Sequence, residues 1–309
     1  MIRFASLYRG IFAAVAVSFI AILPPGLVGG AEAGDAQRGK YLFDAAGCAN
    51  CHTDRRKKGP LLGGGAPIKS PFGTFYGPNI SPHKTFGIGA WSESDFIRAM
   101  RAGVSPDGRH YYPSFPYGSF TLMTDRDLKD LWAHMLTVPP VARPSRRHEL
   151  NFPFNIRWGV WLWKVLYLSK GPYVPEPGRS QSWNRGAYLV EAVTHCGECH
   201  TPRTALGGLR RKLWLGGNAD GPEGERVPNI TPDLKTGIGR WSFDEIVDSL
   251  ESGSLPDGDE FGSLMADVVE YGTSKLTDDD RRAIAEYLKS LKPVVFQPSA
   301  KPKAASGTR

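Results

Sequence analysis

Cysteine is scarce in this sequence, with four residues in a chain of 309. All four lie inside two short motifs of the pattern Cys-x-x-Cys-His, at residues 48–52 and 196–200, so none is left over for a framework of disulfides. The chain beyond residue 33 has no apolar run long enough to span a bilayer. It also lacks a basic helix or an aromatic and basic platform, and we therefore expect no nucleic-acid partner.

The two motifs predict two covalently bound haem c groups. Cys48 and Cys51 are three residues apart, so on one helical turn each can form a thioether with a haem vinyl group, and His52 then lies under the iron as the proximal ligand. The same roles fall to Cys196, Cys199 and His200. A zinc site or a disulfide is the alternative for a Cys-x-x-Cys pair, but the adjacent histidine, which occurs twice, favours haem.

The first 33 residues carry the features of a secretory signal peptide. Arg3 and Arg9 precede an apolar run at residues 11–23, and residues 31–33 form a small-x-small cleavage site, so we predict cleavage after Ala33. An uncleaved membrane anchor is the alternative. Covalent haem attachment needs reduced cysteines in a chain delivered across the membrane, which suits a bacterial periplasm, and we expect the protein there.

The chain is an internal repeat, because short landmarks recur in the same order in its two halves. They are Arg-Gly-x-Tyr-Leu at residues 38–42 and 185–189, Pro-Asn-Ile at 78–80 and 228–230, Gly-Ile-Gly at 87–89 and 237–239, and Pro-Asp-Gly at 106–108 and 256–258. We predict two domains at residues 34–140 and 180–293. A linker at 141–179 joins them, and residues 294–309 form a disordered tail.

Each domain is predicted to be mainly helical. Apolar periodicity and N-cap residues indicate three helices in each unit. The opening helices start near Asp35 and Trp183, the second helices follow the N-caps Ser92 and Ser242, and the closing helices start at Thr124 and Thr277. The glycine-rich segment at residues 59–86 has few helix or strand signals, and we expect it to wrap around a large flat cofactor.

The two haem sites differ in their candidates for a sixth iron ligand. Met265 lies between the second and closing helices of its unit, and we predict it as the distal ligand of haem 2, with core packing as the alternative. The first unit has Phe115 in the corresponding loop, and phenylalanine cannot ligate iron. Met123 is our first candidate for haem 1, although its position also suits core packing. The remaining candidates are Met100, His83, His110 and His134, or a vacant sixth position.

A run dense in aromatic residues lies between the domains at residues 156–168. It is too short to span a bilayer. Two interpretations are open. Its tryptophans pack between the two domains, or the run forms a docking surface for a partner or for a membrane interface, which would give peripheral membrane association.

These motifs together resemble dihaem cytochrome c proteins related to the cytochrome c subunits of bacterial alcohol, gluconate and aldehyde dehydrogenases. The resemblance covers nearly the whole chain after residue 33. It rests on both haem motifs and on residues 151–155, 228–232 and 237–241. It implies two tandem class I cytochrome c domains, mainly α, with long haem-wrapping loops. The family's first haem loop typically reads Pro-Ala-Met-Pro-Tyr, from which this sequence departs at Phe115.

The leading functional hypothesis is a periplasmic dihaem cytochrome that transfers electrons from a dehydrogenase to a respiratory acceptor. The acceptor would be an oxidase, a quinone or another cytochrome, and the chain would be non-catalytic or the cytochrome subunit of an oxidoreductase complex. The alternative is a haem enzyme whose open first haem acts on a small anion or on peroxide, since the formal net charge of +7 would favour an anion. A gas or redox sensor ranks last, because no output domain follows the haem units.

Overall fold

The computed structural model describes residues 33–169 and 171–296. Nearly all of the predicted signal peptide and most of the predicted tail lie outside these residues. The helices are α1 Ala36–Ala45, α2 Cys48–His52, α3 Glu93–Ala102, α4 Tyr117–Phe120, α5 Asp125–Met135, α6 Gly159–Tyr167, α7 Gln181–Tyr188, α8 Gly197–His200, α9 Phe243–Ser252, α10 Ser263–Tyr271 and α11 Asp278–Ser290. The strands are β1 Pro67–Ser70, β2 Gly73–Tyr76 and β3 Glu149–Leu150. We call residues 34–140 the first half and residues 180–296 the second half.

The predicted helix starts are confirmed by their caps. The side chains of Ser92 and Ser242 accept hydrogen bonds from the backbone at the third position of α3 and α9, in capping boxes with an acidic residue. Thr124 and Thr277 cap α5 and α11 in the same way with their hydroxyl groups. The one shifted start is that of α7, which begins at Gln181 after the N-cap Ser180 rather than at Trp183.

In each half the opening helix packs directly on the closing helix through a glycine. A Cβ atom on Gly39 of α1 would lie 1.9 Å from the carbonyl oxygen of Asp130 in α5. A Cβ atom on Gly186 of α7 would lie 1.9 Å from the carbonyl oxygen of Ala283 in α11. Both positions therefore exclude any side chain, which explains why the repeat keeps Arg-Gly-x-Tyr-Leu at this point.

The second opening helix contains one extra residue. Helix α7 continues into a turn of π-helix at residues 189–193, whereas α1 runs without interruption to Ala45. A π-turn accommodates a single inserted residue without breaking the helix. The insertion explains why the two haem motifs are one residue further apart than the preceding Arg-Gly-x-Tyr-Leu motifs.

The glycine-rich segment of the first half contains a hairpin that the sequence did not predict. Strands β1 and β2 pair antiparallel, with Pro67 opposite Tyr76, and β3 extends the sheet through the pair Gly73 and Leu150. Phe75 on β2 packs into a small second core with Tyr112 and Val160. Strands of four residues give too short an alternating pattern to stand out from a loop.

The connecting segment at residues 141–179 is more structured than a linker. It contains β3 and α6, and α6 is fixed to the first half by Lys164, whose Nζ donates to the carbonyl oxygens of Ala102 and Gly103, both at 2.7 Å. The interpretation in which its tryptophans pack between the domains is wrong for two of them, because Trp158 is 74% exposed and Trp161 is 57% exposed. None of the helices within residues 33–169 and 171–296 is long and apolar enough to cross a membrane.

The packed chain extends beyond residue 293, where the second domain was predicted to end. The side-chain amide of Asn229 donates to the carbonyl oxygen of Val294 at 2.6 Å, and Phe296 is buried. Residues 294–296 therefore belong to the second half and not to a disordered tail. The two halves also share one hydrophobic core, to which α1, α5, α7 and α11 all contribute buried side chains.

Candidate haem sites

The two Cys-x-x-Cys-His motifs lie on short helical turns that start in the same way. The residue before each motif, Gly47 or His195, has a left-handed backbone with φ of 59° or 43°. None of the four cysteines is paired in a disulfide. Burial raises the pKa of the Cys48 thiol to about 12. The motif turns thus present protonated thiols at the spacing that two haem vinyl groups require.

Each motif histidine is oriented by a carbonyl oxygen from the Pro-Asn-Ile landmark. His52 Nδ1 lies 2.8 Å from the carbonyl oxygen of Pro78, and His200 Nδ1 lies 2.8 Å from that of Pro228. Because a carbonyl oxygen only accepts hydrogen bonds, Nδ1 carries the proton and Nε2 keeps its lone pair for a metal. Burial lowers the pKa of both imidazoles, which favours the neutral form that binds iron.

The backbone beside each histidine is held by a second repeated set of bonds. The amide of Gly64 donates to the carbonyl oxygen of His52, and Gly217 does the same for His200, both at 2.8 Å. Two residues before these glycines, Leu62 and Leu215 are fully buried and both have φ of 58°, an unusual value for a branched residue. Gly64 is thus the glycine of the run at residues 63–65 that bonds to the haem-motif backbone.

Sequence reasoning gave no role to Asn79 and Asn229, although their repetition was the signal for one. Asn79 Oδ1 accepts from the amide of Ser81, and its Nδ2 donates to the carbonyl oxygens of Val141 and Arg143, both at 2.8 Å. Asn229 makes the same turn with Thr231 and donates to Val294. Each asparagine thus ties the proline that orients the histidine to the chain that follows the closing helix.

The two halves bind each other through equivalent residues. Tyr41 of α1 donates its hydroxyl proton to Asp280 of α11 at 2.6 Å, and Tyr188 of α7 donates to Asp127 of α5 at 2.5 Å. Each aspartate also pairs with the arginine of its own half. Arg38 lies 2.9 Å from Asp127, and Arg185 lies 2.7 Å from Asp280. Residues repeated along the chain therefore form a reciprocal interface of approximate twofold symmetry.

The same symmetry places part of each half against the haem motif of the other. In the first half, Ser119 of α4 donates to Glu198 of the second motif at 3.3 Å. In the second half, the backbone oxygen of Asp267 in α10 accepts from Asn50 of the first motif at 3.4 Å. Between them, His195 Nε2 lies 3.2 Å from the carbonyl oxygen of Ala46. The two motifs are therefore neighbours across the interface.

The pKa of a motif cysteine also reflects the proximity of the two haem motifs. Burial is the main cause that raises the pKa of Cys199 to about 12, and the charges of Glu198 and of Cys51 from the other motif raise it further. The thiols of the two motifs thus lie within electrostatic range of each other. A cofactor attached at one motif would lie beside the cofactor attached at the other.

The candidate distal ligands occupy different surroundings. Met265 lies in the first turn of α10 and is half-buried. Met123 is fully buried between α4 and α5, directly before the N-cap Thr124. The same repeat position in the second half holds Leu276, which is also buried, before the N-cap Thr277. Phe115 packs with its ring against Tyr117 and Phe120.

The histidine candidates of the first half are engaged elsewhere. His110 Nδ1 lies 2.9 Å from Nζ of Lys164, a buried lysine. His83 Nδ1 accepts from the amides of Thr85 and Phe86. His134 packs against Phe43 where α1 crosses α5, with ring centroids 5.1 Å apart.

Comparison with known proteins decides the family. A family model described as cytochrome c matches residues 36–139 and again residues 184–292. The chain belongs to the cytochrome c family. It carries two covalently bound haem c groups, as the motifs predicted, and the free thiols and oriented histidines of this structure fit that cofactor. Cys48, Cys51 and His52 would hold one haem, and Cys196, Cys199 and His200 the other.

This cytochrome is similar to several curated proteins. It is 46% identical over 263 residues to a diheme cytochrome c-type protein of Cereibacter sphaeroides, covering 84% of this chain and 86% of the relative. It is 42% identical over 256 residues to the fructose dehydrogenase cytochrome subunit of Gluconobacter japonicus, covering 82% of this chain and 52% of the relative. It is 37% identical over 311 residues to the alcohol dehydrogenase (quinone) cytochrome c subunit of Gluconacetobacter polyoxogenes, covering 96% of this chain and 66% of the relative. The chain thus spans only part of the two dehydrogenase subunits.

Proposed function

We propose that this cytochrome is a periplasmic electron carrier that takes electrons from a dehydrogenase and passes them to a respiratory acceptor, which is an oxidase, a quinone or another cytochrome. Two relatives are named as cytochrome subunits of fructose and alcohol dehydrogenases, which supports a dehydrogenase as the donor. The features of residues 1–33 support export. The observation that carries the proposal is the reciprocal interface, because it makes the two haem motifs neighbours.

The residues of the chain divide into those that attach the cofactor and those that fix its position. Each bound haem supplies a one-electron iron couple. The bonds from His52 to Pro78 and from His200 to Pro228 fix the orientation of the two proximal imidazoles. The reciprocal tyrosine–aspartate bonds hold the halves in one arrangement, so the path between the two sites does not depend on a loose linker. In this proposal the segment at residues 59–86 would wrap around haem 1, and the equivalent segment of the second half would wrap around haem 2.

We assign Met265 as the distal ligand of haem 2 and Met123 as that of haem 1. Met265 follows the second helix of its half and is half-buried, and so remains accessible to a cofactor. For haem 1, two of the histidine candidates bond through a ring nitrogen to other groups, and the third, His134, packs between α1 and α5. Met123 lies between the second helix α3 and the closing helix α5 of its half, as Met265 lies between α9 and α11 of the second half. Both haems are then six-coordinate and low-spin.

The ligand assignment is tested by Met123→Leu with Met100→Leu as the matched control. Both methionines are buried, and leucine is the residue that the repeat itself carries at position 276, so packing changes little. Optical and electron paramagnetic resonance spectra of the holoprotein should show two low-spin haems that do not bind carbon monoxide in the wild type and in Met100→Leu. Met123→Leu should show one high-spin haem that binds carbon monoxide. A high-spin haem in the wild type would instead favour the haem enzyme with an open first site.

The electron-carrier function is tested with the native partner. The tagged holoprotein is purified from mildly solubilised cells, and reduction of its haem c bands is followed after adding fructose, gluconate, ethanol or an aldehyde. One substrate should reduce both haems through a copurifying dehydrogenase. Reduction of one haem only, or turnover of peroxide or a small anion without a partner, would refute the proposal.

A further inference from the structure

The most exposed apolar surface of the described chain is one face of α6 and the residue before it. Trp158, Trp161, Leu162, Val165 and Leu166 are all exposed. Their spacing of three and four residues places them in one stripe along the helix. Five large apolar side chains on one helical face are more than isolated surface residues, and a contiguous patch of this kind marks an interaction site. We call these five residues the α6 stripe.

The face of α6 opposite the stripe is the one that packs against the rest of the protein. On the first half, Val160 is buried and Lys164 donates to the backbone at the end of α3. On the second half, Trp163 Nε1 donates to the carbonyl oxygen of Leu206 at 3.0 Å, and the hydroxyl group of Tyr167 lies 3.1 Å from that of Thr204. The helix therefore bridges the halves and presents the stripe outward.

The charge around the stripe is mainly positive. No aspartate or glutamate occurs at residues 151–175 or at residues 199–219, the two segments that meet at α6. Leu166 of the stripe and Arg211 line the same cavity of about 260 Å³. Three consecutive exposed cations occur at this point of the chain, and we call them the basic edge: Arg210, Arg211 and Lys212. The one carboxylate at this cavity, Glu198, is paired with Arg203 at 2.6 Å, so the border is basic on balance. An apolar helix face with exposed tryptophans and a basic border matches a surface that is negatively charged outside and apolar beneath.

We propose that the α6 stripe and the basic edge dock this cytochrome on a bilayer surface rich in anionic phospholipid. The stripe enters the headgroup boundary, with α6 parallel to the membrane, while the basic edge contacts lipid phosphates. Glu198 and Arg203, at the second haem motif, line the same cavity as Leu166 and Arg211. The docking itself does not depend on the proposed electron-carrier function.

The test is flotation of the holoprotein with vesicles of phosphatidylcholine, with and without phosphatidylglycerol. The wild type should bind the anionic vesicles and be released by salt. The variant W158S/W161S/V165S should lower the partition coefficient at least about tenfold because exposed apolar area is lost. The variant R210Q/R211Q/K212Q should lower it by about tenfold or more on anionic vesicles and abolish the preference for them. All variants are expressed with the same residues 1–33, so cleavage or retention of that segment affects each of them equally.

The matched control is L234S/V295S, since Leu234 and Val295 are 63% and 64% exposed, as Val165 is at 64%, but lie outside the stripe. Its partition should equal that of the wild type. Brominated phosphatidylglycerol should quench tryptophan fluorescence in the wild type and not in W158S/W161S. Absence of this quenching, or equal partition of the stripe variant and the control, overturns the proposal. So does a stripe variant that binds vesicles normally but loses reduction by the dehydrogenase, which would assign the surface to a protein partner.

Discussion

Replacing Tyr188 by phenylalanine should weaken the reciprocal interface between the two halves without changing a residue of either haem motif. The hydroxyl group of Tyr188 donates to Asp127 and accepts from the amide of Thr124 at 3.1 Å. Both partners lie in the other half of the chain. Phenylalanine keeps the ring, which is buried, and removes only these bonds.

The magnitude follows from the charge and burial of the partners. A hydrogen bond to a charged group contributes about 1.5–3 kcal/mol. Asp127 keeps its contact with Arg38, and the amide of Thr124 lies at an exposed residue where water can replace the hydroxyl group. We therefore expect Tyr188→Phe to lower the free energy of unfolding by about 2 kcal/mol. Tyr41→Phe should lower the free energy of unfolding by about 1 kcal/mol, because Tyr41 is only half-buried.

The assay is denaturant unfolding of the oxidised holoprotein, followed by tryptophan fluorescence and by haem absorption. The control is Tyr76→Phe, which removes a tyrosine–carboxylate bond, to Glu149, that lies away from the interface between the halves. We expect one transition in every variant, shifted for Tyr188→Phe and nearly unchanged for the control. On heating, the shift should be on the order of 4–8 °C. Two separate transitions, or a change for Tyr188→Phe no larger than for Tyr76→Phe, would show that the halves fold independently and refute the reasoning.

Three further predictions concern packing and charge. Gly39→Ala should destabilise the protein by about 3 kcal/mol or more by thermal unfolding, since its Cβ would overlap a carbonyl oxygen, whereas Gly159→Ala, with open space around it, should not. Asn79→Ala removes four hydrogen bonds and should raise amide hydrogen exchange at residues 141–143 by at least about tenfold. Burial raises the pKa of Asp280, but its arginine and tyrosine partners outweigh this and hold the pKa below the ordinary 3.8. Its stabilisation is therefore present above that value and lost as the pH falls through the folded pKa, so Asp280→Asn should be less stable at pH 7 and lose less stability in acid than the wild type.

Much of the fold could be predicted because its signals are local. Ser92 and Ser242 mark helix starts by their own hydrogen bonds, and the spacing of cysteines and histidine carries the haem site within five residues. The reciprocal interface could not be predicted, because its contacts join residues far apart in the sequence. Tyr41 bonds to Asp280 across most of the chain, and nothing in the periodicity of either helix indicates the partner. Repetition marked Tyr41, as part of Arg-Gly-x-Tyr-Leu, but did not indicate its role.

The sequence left the exposure of α6 undecided for a related reason. A run of tryptophan, leucine and valine predicts burial by composition alone, and only the structure shows that Val160 and Lys164 take the inner face. A lysine is an unlikely inward residue from sequence, and its burial is explained by the carbonyl oxygens it meets at the end of α3. The hairpin β1–β2 was not predicted because its strands are too short to show the alternating apolar pattern of a β-strand.

The duplication has kept the proximal side of the two haem sites alike and let the distal side differ. The bond from histidine to proline is 2.8 Å long in both halves, and the buried leucines share one φ value. Reduction potential is set by the axial ligands, their hydrogen bonds and burial. The proximal hydrogen bond is the same in both halves, although His200 is buried and His52 is half-buried. We attribute the main difference in potential to the distal side, where Phe115 aligns with Met265 in the repeat and Met123 aligns with Leu276. We therefore expect a redox titration to resolve two unequal potentials and Met265→Leu to lower only one of them, whereas a single potential that both haems share would place the control of potential on the proximal side.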